Sequence, residues 1–151
     1  MKNLITVKSI ATLCAILFVF FTANSRAEES AVRKTNSTRA HVVFQMSDDD
    51  AKKWNLVLNN AKNVQQDLGA ANVDIEIVAF GPGINMLKFD SVVNARVDEA
   101  LTAGVKIFGC ENTLNSLKLS KSDMMTRIGF VPAGVVEIIK KQGEGYAYIR
   151  P

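Results

Sequence analysis

The chain has 151 residues, 48% of them hydrophobic, 22% charged and 7% aromatic, a composition that excludes disordered, collagen-like and disulfide-stapled classes and allows one domain of ordinary size. The formal net charge of +3 comes from the amino-terminal end: Lys2, Lys8 and Arg26 are three of the 18 basic residues, and none of the 15 acidic ones precedes residue 28, so residues 28–151 carry 15 of each sign. That balance leaves no basic excess for a nucleic acid or an anionic membrane surface.

Residues 1–27 have the order of a secretory signal peptide: basic start, apolar run at 9–23 (SIATLCAILFVFFTA), then Ser25-Arg26-Ala27. The run is 15 residues long, short of the roughly 20 that span a bilayer. The expectation is cleavage after Ala27, a periplasmic or secreted destination, and no membrane partner once the leader is gone. Residues 28–39 read as a flexible tether, because 28–38 (EESAVRKTNST) are polar and aperiodic. Residues 40–151 form the domain. Cys14 lies in the leader, so Cys110 is the one thiol that remains.

Residues 40–46 (AHVVFQM) predict a buried strand, and 47–50 (SDDD) follow with helix N-cap chemistry. From Trp54 the apolar residues Val57, Leu58, Ala61, Val64 and Leu68 recur at spacings of three and four, a helical stripe that Gly69 ends. Asn55, Asn59, Lys62 and Gln66 fall on the opposite side, toward solvent. Residues 73–80 (VDIEIVAF) predict a second strand, whose continuous apolar end suits a sheet covered on both faces. Gly81-Pro82-Gly83 breaks it, and a loop with Met86, Leu87 and Phe89 follows.

Residues 91–103 predict a helix that Ser91 caps and Gly104 closes, with Val93, Val97, Ala100 and Leu101 at helical spacing. The third strand is 105–109 (VKIFG), with Cys110 directly after it and a short helix opening at 111–119. Farther on, Ser122-Asp123 suit the cap of one turn, and 128–131 (IGFV) fit a short strand or an extended loop. A last helix carries Val135, Val136, Ile138 and Ile139, Gly143 and Gly145 stop it, and 146–150 (YAYIR) predict a terminal strand. Strands that alternate with helices imply parallel pairing through right-handed crossovers, hence a three-layer α/β sandwich with four or five strands.

In such sheets ligands bind outside the carboxyl ends of the strands, near the point where strand order reverses. Three segments meet there: 47–50, 81–83 and 110–113. Cys110 is thereby the candidate reactive residue, at the start of a predicted helix whose N–H groups and dipole favour a thiolate. A small packed hydrophobe is the competing reading of the same cysteine. Glu111 opposes ionisation by its own charge, Asn112 and Thr113 offer donors, and Gly81, Gly83 and Ser47 complete the candidate ligand-binding set. No second cysteine completes a Cys-x-x-Cys pair within the domain. His41, the one histidine, starts the first strand at the opposite edge, so a Cys/His pair within one subunit is not expected. Asp48, Asp49 and Asp50 lack the spaced ligands and glycine of a calcium loop, and no metal site is assigned.

The ordered set His41-Val42-Val43-Phe44-Gln45, Trp54-Asn55 through Leu58-Asn59-Asn60 to Asn63, Ala79-Phe80-Gly81-Pro82-Gly83, Gly104-Val105 to Cys110-Glu111-Asn112-Thr113, Val131-Pro132-Ala133-Gly134-Val135 and Gly145-Tyr146-Ala147-Tyr148-Ile149-Arg150 resembles the DsrE/DsrF-like sulfur-relay superfamily, its exported branch most of all. The resemblance covers roughly residues 40 to 151. It implies a flavodoxin-like sandwich assembled as a homo-oligomer, a trimer or hexamer, and it matches Cys110 to the position where sulfur-relay members carry a persulfide. No cofactor is implied.

Two functions follow as expectations. The leading one is a periplasmic sulfur-binding or sulfur-transfer protein, with Cys110 as carrier and small sulfur species or a sulfur-donor protein as partner. The alternative is a non-catalytic oligomeric binding module whose cysteine is structural or redox-sensitive.

Overall fold

The computed structural model describes residues 39–151; the predicted leader and residues 28–38 of the predicted tether lie outside the described residues. Strand β1 (Ala40–Met46) has the bounds the sequence predicts. Asp50 then caps α1 (Ala51–Leu68) by accepting the Lys52 N–H on its carboxylate at 2.8 Å. Trp54, Val57, Leu58 and Ala61 form the buried stripe of that helix. Of the residues predicted to face solvent, Asn59 is exposed and Asn55 half-buried, and both accept the guanidinium of Arg96 from the next helix.

Strand β2 (Val73–Ala79) is buried along nearly all its length. The loop predicted after it is partly regular: residues Gly81–Leu87 wind into a 3-10 helix that buries Ile84, Met86 and Leu87 completely. Helix α2 (Asn94–Thr102) starts three residues later than the sequence suggests. Ser91 does not cap it, and its hydroxyl accepts the Val93 N–H within the preceding turn. Strand β3 (Lys106–Cys110) runs one residue further than predicted, so Cys110 is its last residue. Helix α3 (Glu111–Leu117) follows without a linker, and Ser120 then caps a single 3-10 turn. The chain ends with β4 (Gly129–Val131), α4 (Gly134–Gly143) and β5 (Ala147–Ile149).

The five strands pair in the order β4-β3-β2-β1-β5, all in parallel. Three crossovers from β1 to β4 step in one direction, so their right-handedness puts α1, α2 and α3 on one face. The return from β4 to β5 runs the other way and puts α4 on the opposite face. Packing agrees: Leu58, Val97 and Leu114 join a large cluster with Phe44, Ile75, Ile77 and Ile107, whereas Ile138 joins a smaller one with Val43, Val78, Val131 and Tyr146. This is the expected three-layer α/β sandwich with a parallel five-stranded sheet. Both edge strands are three residues long, which limits the unpaired backbone they offer to other chains.

A candidate thiol site at the switch crevice

Helices that leave adjacent strands toward opposite faces open a crevice at the strands' carboxyl ends. Here the adjacent strands are β3 and β4, with α3 and α4 departing to opposite sides. Cys110 pairs with Val131 across that boundary and its Sγ lies 4.0 Å from the Pro132 carbonyl. The thiol therefore sits where the fold places ligands, although only 5% of the residue is exposed.

Burial pushes the Cys110 thiol up, but the Thr113 hydroxyl and the N–H groups of Gly134, Thr113 and Asn112 outweigh it and hold the thiol below its ordinary value. The Asn112 N–H makes the smallest of these contributions, and it is also donated to the Pro132 carbonyl at 3.1 Å. Thr113 works in two directions. Its Oγ1 accepts the Gly81 N–H at 3.0 Å, which leaves its own hydrogen free to point at the sulfur. Glu111 spends its charge elsewhere, on Lys121 at 2.6 Å.

Gly81 has φ +52°, a left-handed conformation that suits glycine. Gly83 is held by space: a Cβ there would collide with the Met46 carbonyl. Gly81, but not the buried Gly83, lines a cleft of about 420 Å³ together with Pro82, Asn85, Asn112, Thr113, Ser116 and Leu117. Cys110 does not line the cleft; its neighbours Asn112 and Thr113 do. Ser47 is not brought to it either, since its hydroxyl accepts from the Gln45 amide at 3.0 Å. The acidic run beside Ser47 is used structurally, with Asp48 paired to Lys53 and Asp49 accepting from Asn85. No group of His, Cys, Asp and Glu among the described residues is arranged to hold a metal ion.

His41 lies at the far end of β1, paired in register with Asp74 and stacked near Tyr146, which matches the sequence expectation. Three contributors escaped the sequence reading. Asn85 and Ser116 are polar residues on a 3-10 helix and on a short α-helix, with no pattern to single them out. Gly134 reaches the thiol from 24 residues downstream (134 − 110) because β4 lies beside β3, a proximity that no local spacing encodes.

The fold and the site define a parallel α/β protein with one thiol seated at its switch crevice. The chain belongs to the DsrE/DsrF-like family, whose model matches residues 19–151. A solved protein of unknown function from Methanobacterium thermoautotrophicum is 37% identical, covering 74% of this chain and 99% of that one at a TM-score of 0.71. A second, from Bacteroides thetaiotaomicron and also of unknown function, shares 14% identity over 78% of this chain and 100% of its own, with a TM-score of 0.62; it supports the fold alone. No curated protein matches.

Proposed function

We propose that this chain is an exported sulfur-binding or sulfur-transfer protein that carries a persulfide on Cys110. Family membership suggests a sulfur-relay-like role. The observation that carries the finer reading is the thiol's setting: a hydroxyl and three N–H groups converge on the sulfur and favour its anion. In the loading step the Cys110 thiolate attacks the outer sulfur of a donor persulfide, R–S–SH. The new S–S bond forms as the donor S–S bond breaks, and RS⁻ leaves with the electron pair. With thiosulfate as donor the leaving group is sulfite. Asn112, Thr113 and Gly81 line the cleft through which the small donor approaches.

Export to the periplasm or beyond rests on the leader-like residues 1–27. Assembly into a homo-oligomer, a trimer or hexamer by family resemblance, is supported by apolar side chains left uncovered: Val135, Val136 and Ile139 on α4 and Ile149 on β5. No helix among the described residues is long and apolar enough to cross a membrane. The second reading, a binding module with a structural cysteine, draws its support from the burial of Cys110 and its absence from the cleft lining.

Intact mass spectrometry after incubation with polysulfide or thiosulfate separates the two. The carrier gains one sulfur atom, and Cys110→Ser gains none while keeping its fold. Sulfide alone contains no transferable sulfane sulfur and serves as the control. A wild-type protein that stays unlabelled, and that iodoacetamide reaches only after denaturation, identifies the binding module.

A further inference from the structure

The second face of the sheet holds a charged cluster that the thiol chemistry does not use. Glu76 on β2 is 1% exposed, and its Oε1 has no hydrogen-bond partner. The groups around it come from every neighbouring element: His41 on β1, Asp74 on β2, Lys106 on β3, Glu137, Lys140 and Lys141 on α4, and Glu144 and Tyr146 beyond it. Pairing distances show who is left over. Lys106 is 2.9 Å from Asp74, Lys140 is 3.7 Å from Glu137, and Lys141 is 3.0 Å from Glu144 but 3.8 Å from Glu76. Three lysines thus serve four carboxylates, and Glu76, the most buried, shares Lys141 with Glu144 at 3.0 Å and Glu137 at 3.9 Å. An unpaired buried carboxylate is expensive, whereas a protonated one is tolerated.

What covers Glu76 is also what touches the thiol. Among the described residues α4 is the one helix on this face, and only Gly134 and Ile138 of its ten residues are buried. Its first N–H, from Gly134, reaches the Cys110 sulfur, and Lys141 lies seven residues on, about 10 Å along the helix. We propose that Glu76 is a proton latch for α4, and that release of its proton to solvent loosens this helix and opens the path to the Cys110 sulfur.

The direction follows from linkage. Burial pushes Glu76 up from 4.5 to about 7, with Lys141 and Lys106 pulling down and Glu137 and Asp74 pushing further up. Lifting α4 returns the carboxyl to water and to its ordinary value. The lifted form therefore holds its proton less tightly, and rising pH favours it. The proposal rests on Cys110 being the reacting atom for its purpose, but its measurement needs only a thiol that can be alkylated.

The test is the rate of iodoacetamide alkylation of the purified protein against pH. Two ionisations, at Cys110 and at Glu76, give wild type a log-rate slope approaching about 2 per pH unit below neutrality, and one ionisation gives Glu76→Gln a slope of about 1. His41→Gln keeps the steep profile. Equal slopes in wild type and Glu76→Gln, or loss of the steep slope in His41→Gln, overturn the latch. A second reading uses wild type alone: amide protection over residues 135–143 should fall about sevenfold between pH 5 and 6 and level off above pH 7, while α1 stays protected. Unchanged protection of α4 overturns the proposal. Failure of Cys110 to accept sulfur removes the carrier function, and the exchange measurement, which does not use the thiol, still decides the latch.

Discussion

The two faces of the sheet are built to different standards. On the first, three helices and a 3-10 segment cover Phe44, Ile75, Ile77 and Ile107, none more than 1% exposed. On the second, one ten-residue helix covers Val43, Val78 and Val131 at its start and a knot of charge at its end. The difference separates two jobs: the first face holds the fold together, and the second holds the parts that respond to solution conditions. Both reach Cys110, whose α3 side belongs to the rigid face and whose α4 side belongs to the responsive one.

The largest effect should come from the first face. Phe44→Ala is expected to cost about 3 to 5 kcal/mol, because a fully buried aromatic leaves a cavity that its close-packed neighbours cannot fill. Ile138→Ala, on the second face and 6% exposed, should cost about 2 kcal/mol, since a loosely seated helix can settle into the space. Urea titration of both variants checks the contrast, and equal losses would remove it.

A pH series sharpens it. Glu76 in the folded chain holds its proton up to about 7, against 4.5 in the unfolded one, so the folded state binds more protons between those values. Its contribution is full below pH 4.5 and lost as pH rises through 7, a change of at most about 3 kcal/mol. Glu76→Gln should flatten that slope and be more stable than wild type at pH 8. Urea midpoints from pH 4.5 to 8.5 decide it, and parallel curves for the two proteins would count against it. The smallest effect is at the end of α4, where a Cβ added to Gly143 meets nothing within 4 Å. Gly143→Ala should raise stability by about 0.5 to 1 kcal/mol through helix propensity alone, seen as a small rise in Tm.

These contrasts track what the sequence made legible. The first face could be read directly, since β1 is a short run rich in β-branched and aromatic residues and α1 repeats its apolar residues at three and four; both elements stand where those patterns put them. Met86 and Leu87 were harder, because a 3-10 helix has a period of three and its seven residues resemble a loop. Glu76 misleads by pattern. In VDIEIVA the acids alternate with apolar residues, and what buries Glu76 is a helix that arrives some sixty residues later. At the candidate site, Cys110, Asn112 and Thr113 could be placed because they adjoin a strand end. Ser47 shared the same edge by topology, yet its hydrogen bond to Gln45 ties it away from the cleft.

The pairing of β5 with β1 has a consequence in time. Val42 meets Ala147 across 105 residues (147 − 42), so as the chain leaves the ribosome β1 must wait with one edge open while β2, β3 and β4 assemble on its other side. Contacts so distant in sequence close late. A nascent chain halted at residue 145 would hold most of the hydrophobic core yet present the bare edge of β1, which makes the passage from β4 to β5 the interval in which a chaperone has most to protect.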